Sequence, residues 1–302
     1  MGRVVMGSVP EHPLVQELLS RCWYPASGSS VRCAVSGGAD STALMILAVA
    51  AGCIVEAVHV DHGLRAGSVA EGTQVAATAE RFGATSTLRR AAVTPGPNLE
   101  ARARALRYEI LGPDALIGHT VDDQAETVLL NLVRGAGVRG LGGMRSDVRR
   151  PMLALRRAET HALCQALDVP IVEDPTNLDT SFRRNRVRHE LVPLLDDIAQ
   201  RDVAAVIARQ ATLLAEVDDL LVELAVALDV RDAKALVAAK TAVARVAVRE
   251  WLITEVSPEH PPDAATIERV MAVAEGHAVG TEVGQGYEVR RSQNRLRLQK
   301  SP

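Results

Sequence analysis

"CAVSGGADSTALMILAV", residues 33–49, opens with an apolar strand-like run, passes through a turn of small residues and enters an apolar helix-like run. Gly37 and Gly38 give the turn unusual dihedral freedom and allow a ligand to approach the backbone closely. A helix beginning near Ser41 aims its unsatisfied N–H groups and positive dipole end at that turn. Strand, small-residue turn and helix together make a phosphate cradle of Ser36, Gly37, Gly38, Ala39, Asp40 and Ser41. No lysine precedes Lys234, so the turn is not the GxxxxGK[ST] loop whose lysine grips β- and γ-phosphates.

Outward from this turn the pattern repeats. Runs at 32–36, 53–60, 85–93 and 115–119 read as buried strands, and 41–51, 68–83, 98–111 and 121–134 as helices. Such alternation predicts an α/β domain with a parallel sheet covered on both faces. The Gly-rich stretch Arg134–Met144 reads as a breaker, with a further helix near 156–167. "PIVEDPTNLDTSFRRN" reads as a strand and a long loop entering a helix near 184. Beyond about 197 the segments 199–229, 233–256 and 263–275 form a small helical domain. "YEVRRSQNRLRLQ" then predicts a basic hairpin turning near Gln293–Asn294. The expected division is a domain at 1–195 and a mostly helical one at 196–302.

Composition narrows the class. The 302 residues are 47% hydrophobic but only 2% aromatic, so the core is built of small aliphatics. No apolar run reaches the roughly 20 residues that span a bilayer, and the N-terminus lacks an apolar signal core. A cytoplasmic protein without membrane attachment is expected. Cys22, Cys33, Cys53 and Cys164 form no CxxC pair and read as buried thiols. Net charge is −3, and residues 191–275 carry 15 acidic side chains against 8 basic. Basic charge is nearly all arginine and is clustered in "RSDVRR", Arg156–Arg157 and "FRRNRVRHE". Arginine suits phosphate recognition, although solvated surface accounts for such clusters equally well.

Two further clusters carry potential chemistry. In "GHTVDDQAETVLLNLVRGAG", His119 ends a strand and Thr120 is placed to cap a helix. Asp122 and Asp123 lie in its first turn, and Glu126 follows at i+4 and i+3, so one face can gather three carboxylates. Acids at a helix start also simply complement its dipole, for about 0.3–1 kcal/mol each. In "HVDHGLR", His59, Asp61 and His62 either ligate a metal or shape the loop, and the second reading is favoured. All three clusters fall at carboxyl ends of expected parallel strands, the edge where open α/β sheets bind ligands.

"SGGADS" resembles the signature loop of PP-loop ATP pyrophosphatases, which cleave ATP between the α- and β-phosphates. "HVDHGLR", "GHTVDDQAETVLLNLVRGAGVRGLGGM", "RRPML" and "EDPTNLDTSFRRNRVRHELVPLL" are similar, in order over about 32–195, to tRNA(Ile)-lysidine synthases. The resemblance implies an open parallel sheet of five-stranded type. It implies adenylation, by ATP, of the wobble cytidine of CAU-anticodon tRNA(Ile), then attack by free L-lysine on carbon 2 to give lysidine, AMP and pyrophosphate. ATP and Mg²⁺ are the implied cofactors, with Asp40, Asp122 and Asp123 as magnesium candidates. Asp40, His119, Asp122, Asp123 and Glu126 are the catalytic or lysine-binding candidates, with His59, Asp61 and His62 in support. Arg102, Arg104, Arg107, Arg183, Arg184, Arg186 and Arg188 are expected to meet tRNA, and a homodimer is allowed. Longer relatives carry a further C-terminal domain, for which the 302 residues are expected to leave no room. The rival expectations are another PP-loop tRNA-modifying enzyme, such as a thiolating one, and an ATP-dependent amidating ligase. Thiolating members commonly use paired cysteines, and amidating ligases have no need of the "FRRNRVRH" block.

Overall fold

The structure is a computed structural model that describes residues 9–61, 68–91, 102, 106, 108–147, 149–172 and 174–301. The chain divides into two compact units, Met1–Thr212 and Leu213–Pro302.

The first unit is α/β. Strands β1 (Ser30–Ala34), β2 (Ile54–Asp61) and β3 (Thr85–Arg90) pair in parallel in the order β1-β2-β3. Cys33 lies opposite Ala57, and Val58 opposite Thr87. The run expected as a fourth strand meets the other side of β1 through one parallel bridge, Cys33 to Leu116. There the Ala34 N–H donates to Leu116 O (2.9 Å) and the Leu116 N–H to Arg32 O (2.8 Å). On its other side the run is bonded to a later segment, the Ile117 N–H donating to Arg149 O (2.7 Å). β1 is therefore interior, and the turn at its carboxyl end opens onto the middle of the sheet edge.

Helix α1 spans Pro13–Leu19, α2 Ala39–Ala50, α3 Ser68–Arg81, α4 Val121–Val133, α5 Val138–Leu141 and α6 Arg157–Ala166. The described residues among 102–111 are helical, as expected. α2 is apolar nearly all round and is buried from Thr42 to Ala48, as a helix must be when a sheet and a second helix, α6, both cover it. The core is small and aliphatic: Leu44, Met45, Ile46 and Leu47 meet Met152, Leu155, Leu163 and Leu167. Downstream, a 3₁₀ turn at Pro175–Leu178 precedes α7 (Arg183–Arg186), a π-turn at Val187–Leu191 and α8 (Val192–Ala199). α9 (Val203–Val226) contains the point of division between the units.

The second unit holds α10 (Ala233–Ala238), α11 (Thr241–Glu255) and α12 (Ala264–Glu275) around Trp251, Leu252, Val248, Val270 and Val273. The stretch read as one helix over 233–256 is two, because Ala239 and Lys240 take up extended backbone. The terminal hairpin is real: β5 (Tyr287–Ser292) and β6 (Arg295–Lys300) turn at Gln293 and Asn294, both with positive φ (50° and 60°). That mirror-image turn matches the twist of two-residue hairpins. A third strand, β4 (Gly280–Gly284), pairs antiparallel with β5. It escaped the sequence because only Val283 of its five residues is buried, leaving no clear alternation.

Candidate active site

The small-residue turn is shaped by its own short-range bonds. Gly37 has φ +92°, and a Cβ there would stand 2.8 Å from Val172 Cγ2. Glycine is therefore required twice over, by dihedral and by space. The Ser36 N–H donates to Ser41 Oγ (3.1 Å), and Ser41 Oγ donates back to Gly38 O (3.0 Å). Gly38 is the N-cap of α2, with extended backbone and no side chain over the helix end. The first N–H groups of α2 thus remain directed at the turn, as the phosphate reading requires. Gly118 closes the other wall: a Cβ there would lie 2.7 Å from Asp40 O. His59 is buried, and its Nδ1–H donates to Val35 O (2.8 Å), fixing the residue that leads into the turn. Asp61 is buried on the same strand. This shaping role is the favoured reading of the cluster; His62 lies outside the described residues.

Helix α4 delivers the carboxylates. Asp123 Oδ2 accepts from the Thr120 N–H and O–H (both 3.0 Å), a capping box that pins the helix start beneath His119. This cap turns Asp123 and Glu126 inward, where they are 8% and 1% exposed. Asp122 turns the other way.

Arginines from distant segments complete the arrangement. Arg157, the first residue of α6, donates from Nε to Asp40 Oδ2 (3.3 Å), from Nη2 to Asp123 Oδ1 (3.1 Å) and from Nη1 to Glu126 Oε1 (3.2 Å). One guanidinium so ties the phosphate turn to the carboxylate helix. Thr160, one helical turn on, donates to Asp40 Oδ1. Arg184 Nε reaches Glu126 Oε2 (2.6 Å) and its Nη2 reaches Asp123 Oδ1 (3.0 Å). Arg188 forks onto both oxygens of Glu126 (2.7 and 3.2 Å). Asp122 accepts from Arg156 through Nε (3.1 Å) and Nη2 (2.8 Å) and from the Arg157 N–H (2.7 Å). Arg156 also pairs with Asp202.

The electrostatics separate the carboxylates. Burial raises the Asp40 pKa above its ordinary value, and Thr160 and Arg157 only partly oppose it. Burial also works to raise Asp123, but the Arg157 and Arg184 charges, the Thr120 N–H and His119 outweigh it and leave Asp123 lowered. Asp122 is likewise lowered, because the Arg156 and Arg157 hydrogen bonds overcome its burial. Arg157, although half-buried, is held firmly charged by Asp123, Glu126 and Asp40. Of the aspartates here, Asp40 is the one whose surroundings favour taking up a proton.

Asp40, Asp122 and Asp123 offer the hard oxygens magnesium prefers. They do not converge as one set, since Asp122 is committed to Arg156 and the Arg157 backbone, and Arg157 lies between the other two. Among the described residues no group of three His, Cys, Asp or Glu stands close enough to hold a metal. The cysteines are not arranged for chemistry either. Cys33, Cys53 and Cys164 are buried, and burial pushes the Cys22 and Cys164 thiols up to about 12.

Of the arginines expected to meet tRNA, the structure brings Arg184 and Arg188 into the cluster. Arg183 is exposed, and Arg186 pairs with Glu190 (2.8 Å) at the surface. Arg102 is exposed on its helix, while Arg104 and Arg107 lie outside the described residues. The Gly-rich stretch after α4 is braced. Gln124 donates to Met144 O (2.9 Å) and accepts the Met144 N–H (2.7 Å), and Asn131 donates to Gly140 O (2.8 Å). Sequence reasoning noted Arg156 and Arg157 only as basic charge and passed over Thr160. The available signal was their spacing: Arg157 and Thr160 share one face of the helix after "RRPML".

With this geometry in hand, comparison places the chain among known proteins. A family model described as a PP-loop domain matches residues 12–195. A tRNA(Ile)-lysidine synthase from Nocardia farcinica is 42% identical over 245 residues, covering 76% of this chain and 77% of that protein. One from Rhodococcus erythropolis is 42% identical over 265 residues, covering 81% and 82%. Among solved structures, a U34-tRNA thiolase from Methanococcus maripaludis has a TM-score of 0.55 at 17% identity, covering 68% of this chain and 80% of that one. That last likeness is one of fold.

Proposed function

The chain belongs to the PP-loop family and, within it, to the tRNA(Ile)-lysidine synthases, and from that premise we propose that it ligates free L-lysine to carbon 2 of the wobble cytidine of CAU-anticodon tRNA(Ile). The observation that carries this reading is the single guanidinium of Arg157 spanning Asp40 of the phosphate turn and Asp123 and Glu126 of α4. It makes the nucleotide cradle and the carboxylate pair one site, as a reaction needs when it both spends ATP and binds an amine.

ATP, entering with Mg²⁺ as its own counter-ion, lays its phosphates on the N–H groups at the start of α2, residues 39–41. The base oxygen on carbon 2 attacks the α-phosphorus and pyrophosphate leaves. A fixed lysine on the departing β- and γ-phosphates is unnecessary, which accounts for the loop without one. The ε-amine of the substrate lysine then attacks carbon 2, the carbon–oxygen bond breaks, and AMP departs with that oxygen.

The amine is the difficult partner. With a pKa of about 10.4, only about four in ten thousand are neutral at pH 7, a cost of about 4.6 kcal/mol. Asp123 and Glu126 attract the ammonium, and Asp40, with its raised pKa, takes the first proton as attack begins. His119, next to the Asp123 cap, completes the wall. The wobble base must leave its stack to reach this site, and the exposed Arg183 and Arg186 are assigned to anticodon phosphates. The catalytic role falls to 1–195 and tRNA recognition to 196–302, whose basic terminal strands suit phosphate better than its acidic helices. No helix of the described residues is long and apolar enough to cross a membrane.

Incubation with ATP, Mg²⁺, radiolabelled lysine and a CAU-anticodon tRNA(Ile) transcript tests the proposal. Lysine incorporation is expected with this tRNA and not with elongator tRNA(Met). A folded protein that incorporates no lysine refutes it.

A further inference from the structure

The inner cluster is balanced: Asp40, Asp123 and Glu126 face Arg157, Arg184 and Arg188. Its centre is secluded, since the Glu126 side chain is 2% exposed and that of Asp123 12%. A substrate ammonium cannot simply be added to such a group. A fourth cation among three anions, away from water, is repelled unless one of the resident cations gives way.

The three arginines are not equally held. Arg157 has a third partner, Asp40, and its backbone N–H is fixed by Asp122, so it stays anchored when Glu126 changes partner. Arg184 and Arg188 pair only with Asp123 and Glu126 among the ion pairs of the described residues. Both lie where the helix is irregular: Arg184 in a four-residue helix, Arg188 in the π-turn that follows. Such π-turns interrupt regular helix geometry and are frequent at functional sites. On the same segment Arg183 is exposed and the Arg186 side chain is 63% exposed. A guanidinium released from Glu126 would add to the exposed Arg183 on a segment where Arg186 is already balanced by Glu190.

We infer that the lysine ammonium displaces Arg184 or Arg188 from Glu126 and Asp123, and that the displaced arginine becomes a phosphate contact for tRNA. This rests on the lysine-ligating reading and adds a regulation to it: the amine substrate switches on part of the tRNA-binding surface. The two substrates then bind with positive coupling, and by linkage each raises the affinity of the other by the same factor.

The test measures binding of the CAU-anticodon tRNA(Ile) transcript to the full chain by fluorescence anisotropy, without ATP, over a range of salt concentrations. Saturating L-lysine is expected to tighten tRNA binding roughly five- to tenfold. It is also expected to steepen the dependence of log K on log salt by about 0.7–0.9 for one added phosphate contact. Norleucine, of the same length but without the ammonium, is expected to do neither. Glu126→Gln removes the counter-ion permanently, so tRNA binding without lysine should already be tight and lysine should add little. If that variant fails to fold, the comparison of lysine with norleucine on the unaltered chain decides. Equal tRNA affinity with and without lysine, or equal tightening by norleucine, overturns the inference. Lysine incorporation that proceeds without such coupling would leave the proposed reaction standing and remove only this regulation. Failure of incorporation itself would remove the reaction.

Discussion

The two halves of the site draw differently on local and distant bonds. The turn at 36–41 is folded by bonds between residues at most five apart, such as Ser36 to Ser41 and Ser41 to Gly38. It is then docked by distant ones, the Val172 N–H on Gly37 O (2.9 Å) and Arg157 on Asp40 (3.3 Å). The carboxylate–arginine cluster is built from bonds spanning 31 to 120 positions, from Arg157–Glu126 to Thr160–Asp40. The internal bonds of the turn set its shape and the distant ones set where it sits. A cluster of buried charges depends most on its central partner, because removing that leaves several neighbours desolvated and less compensated. The same active site therefore combines a part shaped locally with a part shaped only by distant contacts.

The sharpest way to break this contrast is Asp40→Asn, the residue common to both halves. If Asp40 takes the lysine proton, lysine incorporation should fall by about 10²- to 10⁴-fold, the range for loss of a general base. Stability should not fall with it. Because the folded pKa of Asp40 is raised above the ordinary 3.8, its ionised form costs stability at neutral pH, and that cost fades as pH falls through the raised value. The variant should match or exceed the parent in urea unfolding at pH 7, with the difference closing in acid. Asp122 and Asp123 run the other way: their pKa values are lowered, so their contribution is full above about 3.8 and is lost as pH falls through the lower folded values. A parent protein stable to urea down to about pH 4 and weakening below it would bear out the lowered pair. A neutral-pH loss in Asp40→Asn would contradict the raised Asp40.

Arg157→Ala should combine both kinds of damage. It takes the shared cation from three carboxylates, leaving Asp123 and Glu126 to Arg184 and Arg188 and Asp40 to Thr160. About 3 kcal/mol of unfolding free energy should go, together with most lysine incorporation. Retained stability in a urea titration would mean the cluster is not a unit. Gln124→Ala removes the two hydrogen bonds that brace Met144, and about 1–2 kcal/mol should be lost, read from the thermal midpoint.

The glycines of the turn give the finest distinction. Gly37→Ala meets both a forbidden dihedral and Val172, and should cost about 1–3 kcal/mol. Gly38→Ala meets nothing closer than 3.8 Å, so folding should hold within about 0.5 kcal/mol. If the nucleotide lies against this residue, KM for ATP should rise nonetheless. An unchanged KM would move the phosphates away from Gly38.

The sequence by itself determined the α/β alternation, the lysine-free phosphate turn and the acidic start of α4, because each depends on residues close in the chain: glycine dihedrals, helix periodicity, a capping threonine. It could not rank Asp122 against Asp123, which adjoin in sequence. The structure separates them, since the Thr120 cap turns Asp123 inward and leaves Asp122 to Arg156. Nor could it reveal that Arg157 joins Asp40 to Glu126, or that Arg184 and Arg188 face carboxylates. Those pairings exist only because α2 packs against α6, and the segment from Arg183 onward against α4. Charge attracts over distance without sequence order, so which arginine meets which carboxylate was decided by tertiary packing alone.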